Sequence, residues 1–257
     1  MNQIKEHLLS IPTSPDKRRI RVYLPKDYEI ETKSYPVVYF HDGQNIFYDD
    51  ESFSKHSWRV METLENNPDL PGMIVVAIDN LDAQRLDEYS PWQFEFRGQN
   101  NLGGLGDMYA EFLVHQVKPL IEHTYRVKTQ KEYTALAGSS MGAIISAYMG
   151  AAYPEHFGRL GIFSLASFIL KQPFELYLKT AKMDLSQRIF IQVGTNEGDQ
   201  YISQRYLDSS LDYMRLLLMK GYKVHDLHLK VMAEARHEER AWADALYDFL
   251  KFISIDW

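Results

Sequence analysis

Two adjacent serines, Ser139 and Ser140, lie within the run ALAGSSMGAIISAYMG (135–150). Only Ser140 completes a Gly-x-Ser-x-Gly pattern, with Gly138 and Gly142 two residues to either side. That spacing suits a strand that turns sharply into a helix, because glycines remove side chains that would collide around a strained serine. The first amides of the new helix, with their partial positive charge, then face the position where a tetrahedral oxyanion forms. The chemistry is nucleophilic attack on a carbonyl carbon. Three fixed residues arise by chance in roughly one such chain in ten, so the flanks decide. EYTALA before the motif is strand-like, and SMGAIISAYMGAAY after it is helix-like through Ile144, Ile145, Tyr148 and Met149. Ser140 is the expected nucleophile and Ser139 a small neighbour in the turn.

A serine hydroxyl needs a base within hydrogen-bond reach. Of nine histidines, His237 alone follows a strand-like run (DLHLKVM) and directly precedes the last helix, where a serine–acid–histidine order places the base. The acid that orients the imidazole should follow a strand between the two. IFIQVGTNEGDQ offers Glu197 and Asp199. Glu197 is favoured, since Asp199 also suits the N-cap of a helix starting near Gln200. The second oxyanion donor should come from the loop after an early strand, YFHDGQNIF, where the amide of Gly43 or Gln44 would join that of Met141. His41 and Asp42 in that loop are too few for a metal site, and neither a metal nor a cofactor is expected. Arg85 is a candidate for binding an anionic group, set against a surface ion pair with Asp82, Asp87 or Glu88. Trp92, with Trp58, Phe94 and Phe96, is a candidate stacking surface, set against ordinary packing.

The elements that must carry these residues alternate. KRRIRVYLP, YPVVYFHDG, GMIVVAIDN, KEYTALAGSS, RLGIFSLAS, QRIFIQVG and VHDLHLKVM read as strands, several apolar throughout, as in strands covered on both faces. SKHSWRVMETLENN, 106–125, 200–220 and EERAWADALYDFLKFI read as helices. Pro119 predicts a bend or early end in the second of these, and Gly221 stops the third. The pattern predicts an α/β fold, a mostly parallel central sheet with helices on both faces, in one domain over 1–257. The aperiodic stretch NLDAQRLDEYSPWQFEFRGQNNLGGLGD (80–107) is long for a connection and reads as a loop over the site.

Composition narrows the partners. Of 257 residues, 45% are hydrophobic, enough for a sizeable core, and the formal charge of −7 disfavours a general affinity for nucleic acid. Without cysteine, disulfides, thiolate catalysis and cysteine–metal sites are excluded. No apolar run reaches membrane-spanning length and the first residues lack a secretory pattern, so a cytoplasmic protein with no membrane partner is expected.

With these residues in place, the chain resembles the esterase D-like family of the α/β-hydrolases. That family includes feruloyl and acetyl-xylan esterases, S-formylglutathione hydrolases and siderophore trilactone esterases. The resemblance runs through RRIRVYLPKDY, VVYFHDGQNIF, VVAIDN, RLDEYSPW, LIEHTYRV, YTALAGSSMG, YPEHFGRLGIFS, VGTNEGD and RHEERAW. It implies the α/β-hydrolase fold, with Ser140 as nucleophile, His237 as base, Glu197 as acid, and the amides of Gln44 and Met141 as oxyanion donors. Feruloyl esterase relatives have aspartate where Glu197 stands, and many relatives have glycine where Ala143 stands. The expected activity is hydrolysis of a small soluble ester (short acyl, sugar acetate or aromatic) through an acyl-enzyme. A siderophore trilactone esterase and an acyltransferase are the alternatives, with a non-catalytic binding module behind both.

Overall fold

Two short strands, β3 (Val37–Phe40) and β4 (Ile74–Ile78), are buried at every position, which only a sheet covered on both faces permits. The computed structural model describes residues 4–257. Around that pair the chain runs β1 (Ile4–Ile11), β2 (Ser14–Tyr23), β3, α1 (Val60–Asn66), β4, α2 (Arg85–Glu88), β5 (Gln93–Phe96), β6 (Gln99–Gly103), α3 (Gly106–Phe112) and α4 (Lys118–Thr124). It continues through β7 (Thr134–Ser139), α5 (Met141–Ala152), β8 (Arg159–Phe163), α6 (Lys171–Thr180), β9 (Arg188–Gly194), α7 (Gln200–Lys220), β10 (Leu227–Met232) and α8 (Glu239–Ile253). Eight strands form one sheet in the order β1-β2-β4-β3-β7-β8-β9-β10. β1–β2 and β2–β4 pair antiparallel and every later neighbour is parallel. This is the α/β-hydrolase fold.

Alternation along the strands feeds two cores. Val37 and Tyr39 face one, with Phe112, Val117, Ile144 and Leu217 from α3, the helical segment after it, α5 and α7. Val38 and Phe40 face the other, with Val60 of α1 and Trp242, Leu246, Phe249 and Ile253 of α8. Trp242, Leu246, Phe249 and Ile253, three or four residues apart, form the apolar stripe by which α8 is laid on the sheet.

Three expectations change. β1 was not foreseen: its burial alternates weakly because it is an edge strand with polar outward positions. Pro119 does not end its helix. A π-helical stretch, Leu113–Val117, widens the preceding turn, and Pro119 falls in the first turn of α4, where its missing N–H costs little. The stretch 80–107 is not a plain loop but holds α2 and the β5–β6 hairpin. Helix α7 does stop at Gly221, at φ 104°. Among the described residues, no helix is long and apolar enough to cross a membrane.

The basic run of β2 points inward. Arg18, fully buried, donates to both Glu88 oxygens (2.8 and 2.9 Å) and to the Asp79 carbonyl (2.9 Å). Arg21 donates to Asp79 (3.1 Å) and to the carbonyl of Gly43. These contacts tie β2 to α2 and to the loops after β4 and β3. Removing one partner of a buried pair strands the other charge, so Glu88→Gln should lower unfolding free energy by about 3–5 kcal/mol. Urea denaturation should show that loss, and the Arg18→Met/Glu88→Leu double variant should recover part of it; a Glu88→Gln midpoint equal to the wild type refutes the pair's role.

Candidate active site

Strand β7 ends at Ser139, and the next residue leaves the sheet at φ 58°, ψ −118°. Ser140 is the N-cap of α5, yet its side chain accepts no hydrogen bond from its own helix, so the hydroxyl is not spent as a cap. Its amide donates to the Phe163 carbonyl (2.9 Å), fastening the turn to β8. The two glycines of the motif are unequal. A Cβ on Gly138 would lie 2.7 Å from the backbone of Gly142, whereas one on Gly142 would meet nothing nearer than 3.4 Å. Gly138 is sterically required and Gly142 much less so. Ala143, where many relatives have glycine, is fully buried in the adjoining core.

His237 follows β10 and precedes Glu238, the N-cap of α8. Its Nδ1 is 2.6 Å from Glu197 Oε2. Glu197 is buried, and its other oxygen accepts from the Gly194 amide (2.7 Å) and the Ser164 hydroxyl (2.6 Å). Ser164 in turn accepts from Trp242 Nε1 (2.8 Å). Asp199 takes the other task foreseen for it, accepting from the Ile202 amide (2.8 Å) as N-cap of α7. Ser164 and the indole of Trp242 were not singled out as site residues. The serine ends the strand-like RLGIFS, and the tryptophan reads as one more apolar residue on the α8 stripe.

The loop after β3 is built by close approach. A Cβ on Gly43 would lie 2.6–2.7 Å from Asp79 and Ala77, so only glycine fits. Gly43–Asn45 form one 3₁₀ turn, and its first amides, like that of Met141 at the start of α5, have no partner within their own helix. Gln44 accepts the Asn80 amide on its side-chain oxygen (3.1 Å).

Arg85 and Trp92 part company. Arg85 binds Asp42 through Nε and a terminal nitrogen, both at 2.8 Å, rather than Asp82, Asp87 or Glu88. Asn80 also donates to Asp42 (2.5 Å). Burial opposes ionisation of Asp42, but Arg85 and Asn80 together hold its carboxyl below the usual carboxylate range. Burial works against the Arg85 charge too, and Asp42 outweighs it and raises that pKa. Trp92 instead packs among Tyr148, Phe174 and Tyr177. A cavity of about 400 Å³ is lined by Ser140, His237, Gln44, Arg85, Asn80 and Trp242 together with Asp42, Ser139 and the exposed Phe53; Trp92 is not part of that lining.

His41 is committed to the fold. Its Nδ1 contacts the Tyr109 hydroxyl at 2.7 Å, and burial pushes its pKa down to about 3.

The model of the "Putative esterase" family matches residues 12–253. A curated relative, the uncharacterized protein YbbA of Bacillus subtilis (strain 168), is 25% identical over 240 residues, covering 92% of each chain. A solved ferulic acid esterase superposes with a TM-score of 0.72 at 20% identity, covering 98% of this chain and 97% of its own. The siderophore hydrolase EstA of Aspergillus nidulans superposes with a TM-score of 0.76 at 17% identity, covering 98% and 95%.

Between pH 6.5 and about 3 the unfolded chain binds a proton at residue 41 that the folded chain refuses, so stability falls as pH drops through that window. The wild type should lose up to ~1.4 kcal/mol per pH unit more than His41→Gln there. Denaturant titrations at pH 7, 6 and 5 measure the two slopes, and equal slopes contradict a neutral buried His41.

Proposed function

The chain belongs to the "Putative esterase" family and is a carboxylic-ester hydrolase, and from that premise we propose that it cleaves esters by a Ser140–His237–Glu197 triad. The observation that carries this reading is the 2.6 Å contact between His237 Nδ1 and the buried Glu197, in a cavity that Ser140 also lines. With Nδ1 donating to Glu197, His237 presents Nε2 as the lone-pair nitrogen that accepts the serine proton. Oγ of Ser140 bonds to the ester carbonyl carbon, and the carbonyl oxygen takes the negative charge. The amides of Met141 and Gln44 stabilise that charge, each donor contributing roughly 2.7–4 kcal/mol in comparable sites. Collapse of the intermediate expels the alcohol, which takes the proton from Nε2. Water then repeats the sequence in reverse to release the acid.

Strain at Ser140 belongs to this mechanism: a serine in ordinary helical geometry would turn its hydroxyl to the orphan amides of its own helix. Arg85 has a positioning role in this reading. Its pairing with Asp42 fixes the residue directly before Gly43 and Gln44, so it braces the oxyanion loop rather than offering a free charge to an anionic substrate.

The lining favours a small polar ester. Asp42, Asn45, Asn80, Asp82, Glu238 and Glu239 outnumber the apolar groups Phe53 and Trp242, a composition suited to a short acyl group on a hydroxylated alcohol such as a sugar acetate. The protein acts as one catalytic domain, a reading supported by a sheet that is continuous from β1 to β10.

Ser140→Ala should reduce turnover of p-nitrophenyl acetate and acetylated sugars to background while leaving the circular dichroism spectrum unchanged. Ser139→Ala should keep most of the activity. Full turnover by a folded Ser140→Ala variant rules out the triad.

A further inference from the structure

Tyr206 of α7 has no task in the mechanism above, and it is only 8% exposed. Its ring lies against the His237 imidazole, with centroids 4.6 Å apart and planes at 33°. Phe168 meets the tyrosine ring edge-on at 4.9 Å, and Trp242 meets the imidazole edge-on at 5.2 Å. The phenol oxygen is 3.5 Å from His237 Nε2 and lies beside the Ser140 hydroxyl. A tyrosine that served only to pack against the imidazole would have no need to bring its hydroxyl to both reacting atoms.

Resting on Ser140 as nucleophile and His237 as base, we infer that Tyr206 is a further catalytic residue whose hydroxyl hydrogen-bonds the departing alcohol oxygen of the ester. In the free enzyme the single lone pair of Nε2 serves the Ser140 O–H, and the phenol oxygen, 3.5 Å from Nε2, flanks that pair without competing for it. Once Nε2 has taken the serine proton it donates instead, and the phenol hydrogen is free to turn about its C–O bond. The departing oxygen is bonded to the carbon that Oγ has attacked and must approach Nε2 to receive its proton. It therefore occupies the space that Oγ, Nε2 and the phenol oxygen share. The C–O bond breaks with its electron pair passing to that oxygen. The proton comes from Nε2, and the phenol keeps its own. In deacylation the attacking water takes the same place, gives its proton to Nε2 and donates nothing to the phenol. Burial pushes the phenol up to about 12, even with the Ser140 hydroxyl acting the other way, so the donor stays protonated at neutral pH.

A poor leaving group needs this donor and a good one does not. The test compares Tyr206→Phe, which keeps the ring, with the wild type on ethyl acetate and p-nitrophenyl acetate. The value read is kcat/KM, which reports acylation. The expected loss is roughly ten- to a hundredfold on the ethyl ester and less than about threefold on the nitrophenyl ester. Equal losses on both esters would mean that Tyr206 acts through the imidazole alone, and no loss would mean that the hydroxyl is idle; either result overturns the inference. Labelling by a fluorophosphonate separates the two levels. A wild type not labelled at Ser140 brings down the triad and the inference with it, whereas labelled wild type and Tyr206→Phe confine any failure to the tyrosine.

Discussion

The backbone of Ser140, held at φ 58° and ψ −118°, is the constraint on which the rest of the site depends. A non-glycine residue adopts such angles only where its surroundings over-determine them, at a cost of order 1–3 kcal/mol. The surroundings here are the amide bond to β8, the space left by Gly138 and the start of α5. Strain is not confined to this turn. Asp42, Ser164 and Glu234 also have positive φ, and they follow β3, β8 and β10. Four parallel strands therefore release the chain through unfavourable angles at the same end of the sheet, the end where ligands bind in folds of this type.

What holds the strain is a set of buried polar chains. One runs from Trp242 through Ser164 and Glu197 to His237. Another runs from Arg85 through Asp42 to Asn80 and the turn at Gly43. A third joins Arg18 and Arg21 of β2 to Glu88, Asp79 and Gly43. In each, a buried charge or hydroxyl is satisfied by residues distant in sequence, and a satisfied polar network is stiffer than an apolar contact that slides.

That distance explains which parts were legible in the sequence. Buried strands, the long helix ended by Gly221 and the glycine-framed serine are local patterns, and each reads directly from composition and spacing. Glu197 was separable from Asp199 because the helix N-cap is also a local signal. The Asp42–Arg85 pair was not legible, because 43 residues separate the partners and nearer acids offered themselves. Ser164 looks like the polar end of a strand, and Tyr206 like one aromatic on a helix face. β1 and the β5–β6 hairpin were missed because strands with an open, polar face need only half an apolar pattern.

The sheet separates two cores, and the two side chains proposed to react come from opposite sides of it. Ser140 leads into α5, which packs in one core, while His237 leads into α8, which packs in the other. No single layer of side chains fixes the gap between Ser140 and His237. That gap is set by the width and twist of four strands, β7 to β10 through β8 and β9, so the sheet works as a gauge block. A void opened in either core shifts one jaw and leaves the other still. The spacing on which the proposed proton transfer depends is thus a mechanical property of hydrogen-bonded backbone, and side chains far from the cavity can alter it.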